Sequence, residues 1–502
     1  MTADTLRREA PAATLDRTST TPTRIGAFVA TLLAFATIGF AVRLLLAAGP
    51  LWRDEIWSID NLAPLTHSWQ AFWRISHDNN HFLNSIWLDW AIAFSTNPIV
   101  LRAPSILMGA ATIVVMAKLG RRSSLPAALA AAALTAFSYF FVNYSVEARG
   151  YAGEALTLAI AFDALERALD EPRSNARYVL AAAAGVGMFW HLATLAGVAL
   201  FALVALAAQR RRGDSWAAAV KKTERLFAPT AIAILPALGC VMAGIIITGR
   251  FSVGGLNPFS LATALDALAT VLRDTLGLPP ETPTLLAVSL WLAMVGLALA
   301  VRSLSKDRRL AYAIILIAAP LAVLVLRPGN ADFPRYYLVC ALFLILMAAD
   351  LFGVAWRLGG WRRLAAAVIL CAALVGDAAL LTRYQASKAT AWPQALEAIE
   401  DSGDRVVASS FDEGIGRLIA YFNRDHSPPI VLTPLGQFRQ AQPRWLIVET
   451  SDIDSEPRSL ELGSACPMRF DFAGAYESWG LSAIRWRLYR RADPSMNSCQ
   501  TR

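Results

Sequence analysis

Acidic and basic side chains that could share chemistry cluster at a few places in this chain. The first is Leu51-Trp52-Arg53-Asp54-Glu55-Ile56-Trp57, where two adjacent carboxylates stand among tryptophans just after a long apolar run. Partial desolvation by aromatic neighbours makes a carboxylate more basic, so Asp54 is a candidate general base and Glu55 its partner. The alternative is two ordinary solvated acids at a helix end. The second cluster, Asp78-Asn79-Asn80-His81-Phe82-Leu83-Asn84, opens a short apolar segment. A free helix N-terminus there would favour an anion, with Asp78, Asn80 and His81 as contacts, or Asn80 is simply the N-cap. The third, Tyr144-Ser145-Val146-Glu147-Ala148-Arg149-Gly150-Tyr151, squeezes an acid and a base between two apolar runs. Charges at membrane depth are costly, so Glu147 and Arg149 either face one cavity, with Tyr151 beside them, or neutralise each other in a turn. His191 and the segment Asp332-Phe333-Pro334-Arg335-Tyr336-Tyr337 complete the set. A lone membrane histidine is either a packing residue or a ligand, and an arginine forks naturally onto phosphate.

The elements that position these groups are membrane helices. Of the 502 residues 56% are hydrophobic and only 17% charged, which excludes an ordinary soluble protein. The net charge of +8 does not indicate nucleic acid, because the basic residues are spread in short clusters between apolar runs instead of along one stripe. None of the five cysteines has metal-ligand spacing, and Cys240, Cys340 and Cys371 lie within apolar runs. Cys466 and Cys499 lie in the polar tail and could pair in an oxidising compartment.

Apolar runs recur at about 25–48, 102–119, 125–143, 152–169, 178–191, 193–208, 227–248, 284–301, 310–326, 337–355 and 364–382. They predict about eleven membrane-crossing helices after a cytoplasmic tail of 24 residues, disordered by composition. Basic clusters at Arg121–Arg122, Arg173–Arg177, Arg210–Lys222, Lys306–Arg309 and Arg357–Arg363 fall in every second loop, which places those loops in the cytoplasm. Counting Phe82–Ala93 as a further crossing would reverse this pattern, so it is expected to lie flat at the outer interface within an outer loop 50–101. The whole set of acid and base clusters then falls on the outer side, as do 250–283 and everything after 384. Acids and arginines together at a lipid–water boundary suit a ligand with a phosphate head and a lipid tail. From 385 onward charge and proline rise, and strands at Arg405–Ser409, Ile430–Thr433, Trp445–Glu449, Met468–Phe472 and Ala483–Tyr489, with helices at Pro393–Asp401 and Glu413–Phe422, predict a small α/β domain.

These residues carry a resemblance. Trp52-Arg53-Asp54-Glu55 resembles the Asp-Glu motif of GT-C-type glycosyltransferases that use polyprenyl-phosphate sugars, the group containing protein O-mannosyltransferases and the lipid A aminoarabinose transferase. Asn79–Asn84 is similar to the family's His-Pro-Leu-type motif, Arg102-Ala103-Pro104-Ser105 to its Arg-Leu-Pro-Ser helix start, Tyr144–Tyr151 to its Tyr-Ser-Gln-Glu-Ala-Arg-x-Tyr turn, and Arg335-Tyr336 to the Arg-Tyr opening a late helix. The order and spacing hold over about residues 25–355. Phe82, Val146 and Gly150 depart from the family's proline, glutamine and proline.

The resemblance implies an inverting transfer of a sugar from a polyprenyl-phosphate donor to an acceptor hydroxyl of a glycan, lipid or protein, on the periplasmic side of a bacterial inner membrane. It casts Asp54 and Glu55 as catalytic, and Arg335, Arg149, Tyr336 and Arg102 as donor-phosphate contacts. Glu147, His81, Asp78, Asn80, Tyr151 and His191 become sugar or acceptor contacts. No cofactor is required; a divalent metal between Asp54 and Glu147 is compatible with the residue types. A transporter or flippase of lipid-linked sugars is the competing class, but it should carry polar residues through the midplane and an internal repeat, neither of which the sequence has.

Overall fold

The computed structural model describes residues 22–254, 257–434, 437–450, 457–462, 468–481 and 483–492. Each apolar run became a helix: α1 (Pro22–Leu46), α4 (Ala103–Arg121), the broken pair α5 (Leu125–Phe137) and α6 (Tyr139–Ser145), α7 (Tyr151–Asp170), α8 (Ala176–Trp190), α9 (Thr194–Arg211), α10 (Trp216–Thr248), α12 (Thr284–Ala300), α13 (Lys306–Leu326), α14 (Leu338–Leu358) and α15 (Gly360–Ser387). Among the described residues, seven of these are long and apolar enough to cross a bilayer alone, eight if α5 and α6 count as one span bent by 54°. The remaining three of the eleven differ for visible reasons. α8 and α12 are 15 and 17 residues long, and α7 carries Glu154, Asp163, Glu166, Arg167 and Asp170.

Those charges in α7 survive because almost all of the helix is buried in protein. At the end of the bundle rich in Lys and Arg, Arg308 of α13 grips Glu166 through Nη2 at 2.9 Å and Asp350 of α14 through Nη1 at 3.3 Å, and Tyr312 donates to Asp350 at 2.6 Å. Asp163 is met by Lys118 at 3.0 Å, Arg167 at 2.9 Å and Arg122 at 3.3 Å. Buried charges are tolerated when they are paired in this way, and removing one partner would leave the other uncompensated.

The break between α5 and α6 is held from both sides. Arg43 of α1, fully buried, donates through Nη1 to Ala136 O and through Nη2 to Thr135 O, each at 3.0 Å, which satisfies carbonyls left open at the end of α5. Asp377 of α15 accepts from Tyr139 N, the first amide of α6, at 3.0 Å. After the bend, α6 leads into the turn 146–150 at the opposite end of the bundle.

That end is capped by α2 (Arg53–Leu62), at whose start Glu55 Oε2 accepts from Trp52 N at 2.9 Å, and α3 (Phe82–Ile92). α3 has 11 residues, or about 16 Å at 1.5 Å per residue, against an apolar membrane thickness of about 30 Å, so it does not cross. The segment expected as a plain outer loop, 250–283, contains an amphipathic helix, α11 (Leu261–Leu276), whose buried face packs on α12, α14 and α15. Its apolar residues follow a helical period, but Asp266, Arg273 and Asp274 make it unlike a span.

The C-terminal unit is an α/β sandwich with α16 (Trp392–Asp401) and α17 (Asp412–Phe422) on a six-stranded sheet. Strands β1 (Val406–Ser409), β2 (Val431–Thr433), β3 (Trp445–Glu449), β4 (Ser459–Leu462), β5 (Met468–Glu477) and β6 (Arg485–Arg491) take the order β2-β1-β3-β6-β5-β4. The first three pair in parallel and the rest antiparallel. β4 was not expected from the sequence; at four partly buried residues it is too short for alternation to show. Cys466 and Cys499 lie outside the described residues. The unit shares a core with the capping helices: Leu51, Ile56, Ile59 and Leu88 pack with Trp392, Leu396, Ile415 and Trp486, and Trp392 Nε1 donates to Leu51 O at 2.9 Å.

Candidate active site

A cavity of about 540 Å³ lies where the capping helices, the bundle and the C-terminal unit meet. Trp52, Arg53, Asp54 and Trp57 line it from the start of α2, Asp78 and Asn79 from the following loop, and Arg149 and Tyr151 from the turn before α7. His191 and Leu192 follow α8, Phe333, Arg335 and Tyr336 precede α14, and Phe411, Glu413 and Arg417 come from the edge of the C-terminal unit.

Arg149 organises one wall. Its Nη1 lies 2.6 Å from Asp54 Oδ2, Nη2 donates to Asn79 Oδ1 at 2.7 Å, and Nε donates to His81 Nε2 at 3.2 Å. Its guanidinium carbon also sits 4.9 Å from the centre of the Tyr151 ring and 5.4 Å from that of Trp52. Burial works against the charge, but Tyr151 and Asp54 outweigh it and raise the Arg149 pKa above its usual value. His81 is driven well below the ordinary imidazole range, first by burial and then by Arg149 and His191, and is neutral. As acceptor for Arg149, it supports the wall from behind without lining the cavity.

Arg335 faces the same space under different conditions. Its Nε is buried without a hydrogen-bond acceptor, and among the described residues the guanidinium forms no hydrogen bond or ion pair. It lies over the Phe333 ring at 4.0 Å and near Tyr336 at 5.5 Å. A cation fixed by aromatic faces and pointed at a cavity is poised for an anion from outside the chain.

Several sequence-selected residues have other duties. Glu55 is fully buried: Arg102 Nε and Nη2 donate to it at 2.8 and 2.6 Å, Ala148 N at 2.6 Å and Trp52 N at 2.9 Å. Arg102 continues to Ala47 O, Gly49 O and Pro50 O at 2.7–2.9 Å. The structure therefore places both outside the cavity lining, as the joint between α1, α2 and the 146–150 turn. Asn80 is not the N-cap of α3; it donates to Ala71 O at 2.7 Å and Ile75 O at 2.9 Å and accepts from Ser85 Oγ at 2.9 Å. Glu147, also buried, accepts from Asn143 Nδ2 at 3.0 Å. Asp78 does reach the cavity rim, where it accepts from Gly254 N at 3.1 Å and sits 2.7 Å from His77 Nδ1. Burial pushes its pKa up, but His77 and the Gly254 amide more than offset this, leaving it below the usual carboxylate value.

Sequence reasoning missed Trp57, Phe251, Phe411 and Arg417, because nothing in the linear chain shows which edge of a distant α/β unit turns toward the first outer loop. Arg417 packs its guanidinium 5.0 Å from the Trp57 ring centre, and Arg53 pairs with Glu449 across the seam. Among the described residues, no cluster of three or more His, Cys, Asp or Glu side chains is placed to hold a metal ion. Asp54 and Glu147, the two carboxylates that suggested one, are engaged by Arg149 and Asn143.

Residues 85–237 match the dolichyl-phosphate-mannose-protein mannosyltransferase family. The matched segment runs from α3 into α10 and contains Arg102, Glu147, Arg149, Tyr151 and His191, and it bears out the GT-C resemblance carried by the motifs. No curated protein matches significantly. Among solved structures, ArnT from Cupriavidus metallidurans in the apo state is similar at 13% identity and a TM-score of 0.45, over 93% of this chain and 98% of that one. The same protein bound to undecaprenyl phosphate gives 13% and 0.40, over 93% and 97%. The arabinosyltransferase EmbB from Mycobacterium smegmatis gives 14% and 0.33, over 68% of this chain and 43% of that one.

Proposed function

We propose that the chain is a membrane glycosyltransferase that moves a sugar from a polyprenyl-phosphate donor to an acceptor hydroxyl, with inversion, at the periplasmic face of a bacterial inner membrane. The observation that carries this reading is Arg335, a guanidinium with no hydrogen bond or ion pair among the described residues, facing a cavity whose other wall presents Asp54. The family match supports a lipid-linked donor and glycosyl transfer. Asp54 takes the acceptor proton as the acceptor oxygen bonds to the anomeric carbon. The bond from that carbon to the phosphate oxygen breaks, and its electron pair leaves with the phosphate, whose charge Arg335 receives. Phosphate leaves readily, so no general acid is needed. Arg149 fixes the aim of Asp54, and Tyr151, His191, Asp78 and Tyr336 line the space for sugar and phosphate. Residues 25–384 form the catalytic bundle and 385–502 a periplasmic unit closing the cavity.

Labelled polyprenyl-phosphate sugars offered to the purified protein in membranes test this. Asp54→Asn keeps the size and hydrogen bonding but cannot take the proton, so turnover should fall about 10²-fold or more with donor binding retained. Arg335→Ala should weaken donor binding as well as turnover, and Arg335→Lys should recover only part, because the planar fork is lost. Near-normal turnover by Asp54→Asn at normal protein levels would remove Asp54 from the mechanism. Movement of the intact lipid-linked sugar without transfer would point to a flippase.

A further inference from the structure

His191 lines the cavity with a buried carboxylate behind it. Its Nδ1 lies 3.0 Å from Oε2 of Glu154, a side chain only 4% exposed on α7. That oxygen has no hydrogen-bond partner among the described residues. A buried carboxyl oxygen without a hydrogen-bond partner is costly, and the imidazole is the group in contact with it. Two further features describe the ring's surroundings. His191 is the C-cap of α8, where open carbonyls attract a cation, and the backbone there is extended, which turns the side chain out of the helix. The ring can serve in either state. Neutral, Nδ1 accepts from Ala193 N at 3.1 Å; protonated, the same nitrogen carries a hydrogen and has Glu154 as its partner.

The groups around it have fixed roles. Tyr151, at 4.8 Å between ring centres, and His81, at 4.9 Å, pack on the imidazole, and His81 is neutral. Across the cavity Arg149, Arg335, Arg53 and Arg417 oppose a further cation, while Asp54, Asp78 and Glu413 favour one. An anion in the cavity would therefore decide the balance. We propose that His191, backed by Glu154, is a second, proton-gated contact for the donor phosphate: the imidazolium donates one ring N–H toward Glu154 and the other to a phosphate oxygen. No bond is made or broken at His191; it binds. This rests on the proposed function, since it requires a phosphate in this cavity.

The test uses a polyprenyl methyl phosphodiester, whose single negative charge does not titrate near neutrality, so the pH dependence of binding belongs to the protein. Between about pH 5 and 8, the span in which imidazole changes charge, wild type should lose about tenfold in affinity as pH rises. His191→Asn should bind weakly and equally at all pH values. Glu154→Gln should retain tight binding only at the acid end, because the imidazolium has lost its counterion. If Glu154→Gln does not accumulate as folded protein, His191→Asn alone decides. Binding that depends on Arg335 yet is the same from pH 5 to 8 in wild type, or a Glu154→Gln profile identical to wild type, overturns the inference and leaves the proposed function intact. Binding indifferent to Arg335→Ala would instead refute the site.

Discussion

At Gly150 a single methyl group decides whether two loops can meet. A Cβ there would stand 1.8 Å from Trp190 O and 2.9 Å from His81 Nδ1, so the turn before α7 touches the end of α8 backbone to backbone. This departure from the family's proline makes sense only in three dimensions. Gly150→Ala should therefore destabilise by about 1–3 kcal/mol or more, since backbone has to move. Thermal unfolding of the detergent-solubilised protein measures it, and an unchanged midpoint would show that the turn adapts. Asp78 makes a separate prediction through pH. Its folded pKa is depressed, so its contribution is present above the unfolded carboxylate value and is lost as pH falls through the folded one. Asp78→Asn should be less stable than wild type at neutral pH, and the difference should close in acid. Which stretches reach the cavity was partly legible in the sequence; which of two adjacent acids faces it was not. Asp54 and Glu55 are one helical position apart, about 100° around α2, and that rotation sends one to the cavity and the other to Arg102.

Among the elements, the joint made by Glu55 and Arg102 ties α1, α2, α4 and the 146–150 turn into one frame. Breaking a buried pair from one side leaves an uncompensated charge, so Glu55→Gln or Arg102→Ala should each cost about 3–5 kcal/mol. Replacing both with apolar residues should cost clearly less than the two single losses added together, although the carbonyls that Arg102 now serves remain open. Loss of activity in Glu55→Gln at wild-type stability would return Glu55 to a catalytic role. Helix positions could be read from the sequence because apolar runs are long and lipid tolerates little else. The helix α11 could not, since its apolar face contacts other helices while Arg273 and Asp274 sit among them, a pattern that looks like a loop to any argument based on hydropathy.

For the molecule as a whole, the decisive expectation is sidedness. Basic residues gather at one end of the bundle, and the cavity with the α/β unit lies at the other. Reporter fusions at Ser124 and Gly360 should read cytoplasm, and one after Ala389 should read periplasm. A cytoplasmic reading after Ala389 would remove the reaction from the outer face. Five of the six strands and the helices α16 and α17 of the C-terminal unit followed from alternation and β-branched runs, but β4 and the unit's placement did not: the packing of Trp392 on Leu51 and of Arg417 on Trp57 involves residues more than 300 positions apart.

The bend at Ser138 has a consequence for how this chain can change. Arg43 and Asp377 sit on different helices and bond to opposite sides of the break, the guanidinium to the carbonyl end of α5 and the carboxyl group to the amide end of α6. Each replaces a backbone partner that an unbroken helix would supply from within. Losing either side chain leaves the polar backbone groups on its side of the break open in an apolar interior. The broken form therefore has two separate supports, and a straight helix through Ser138 becomes accessible only when both have gone.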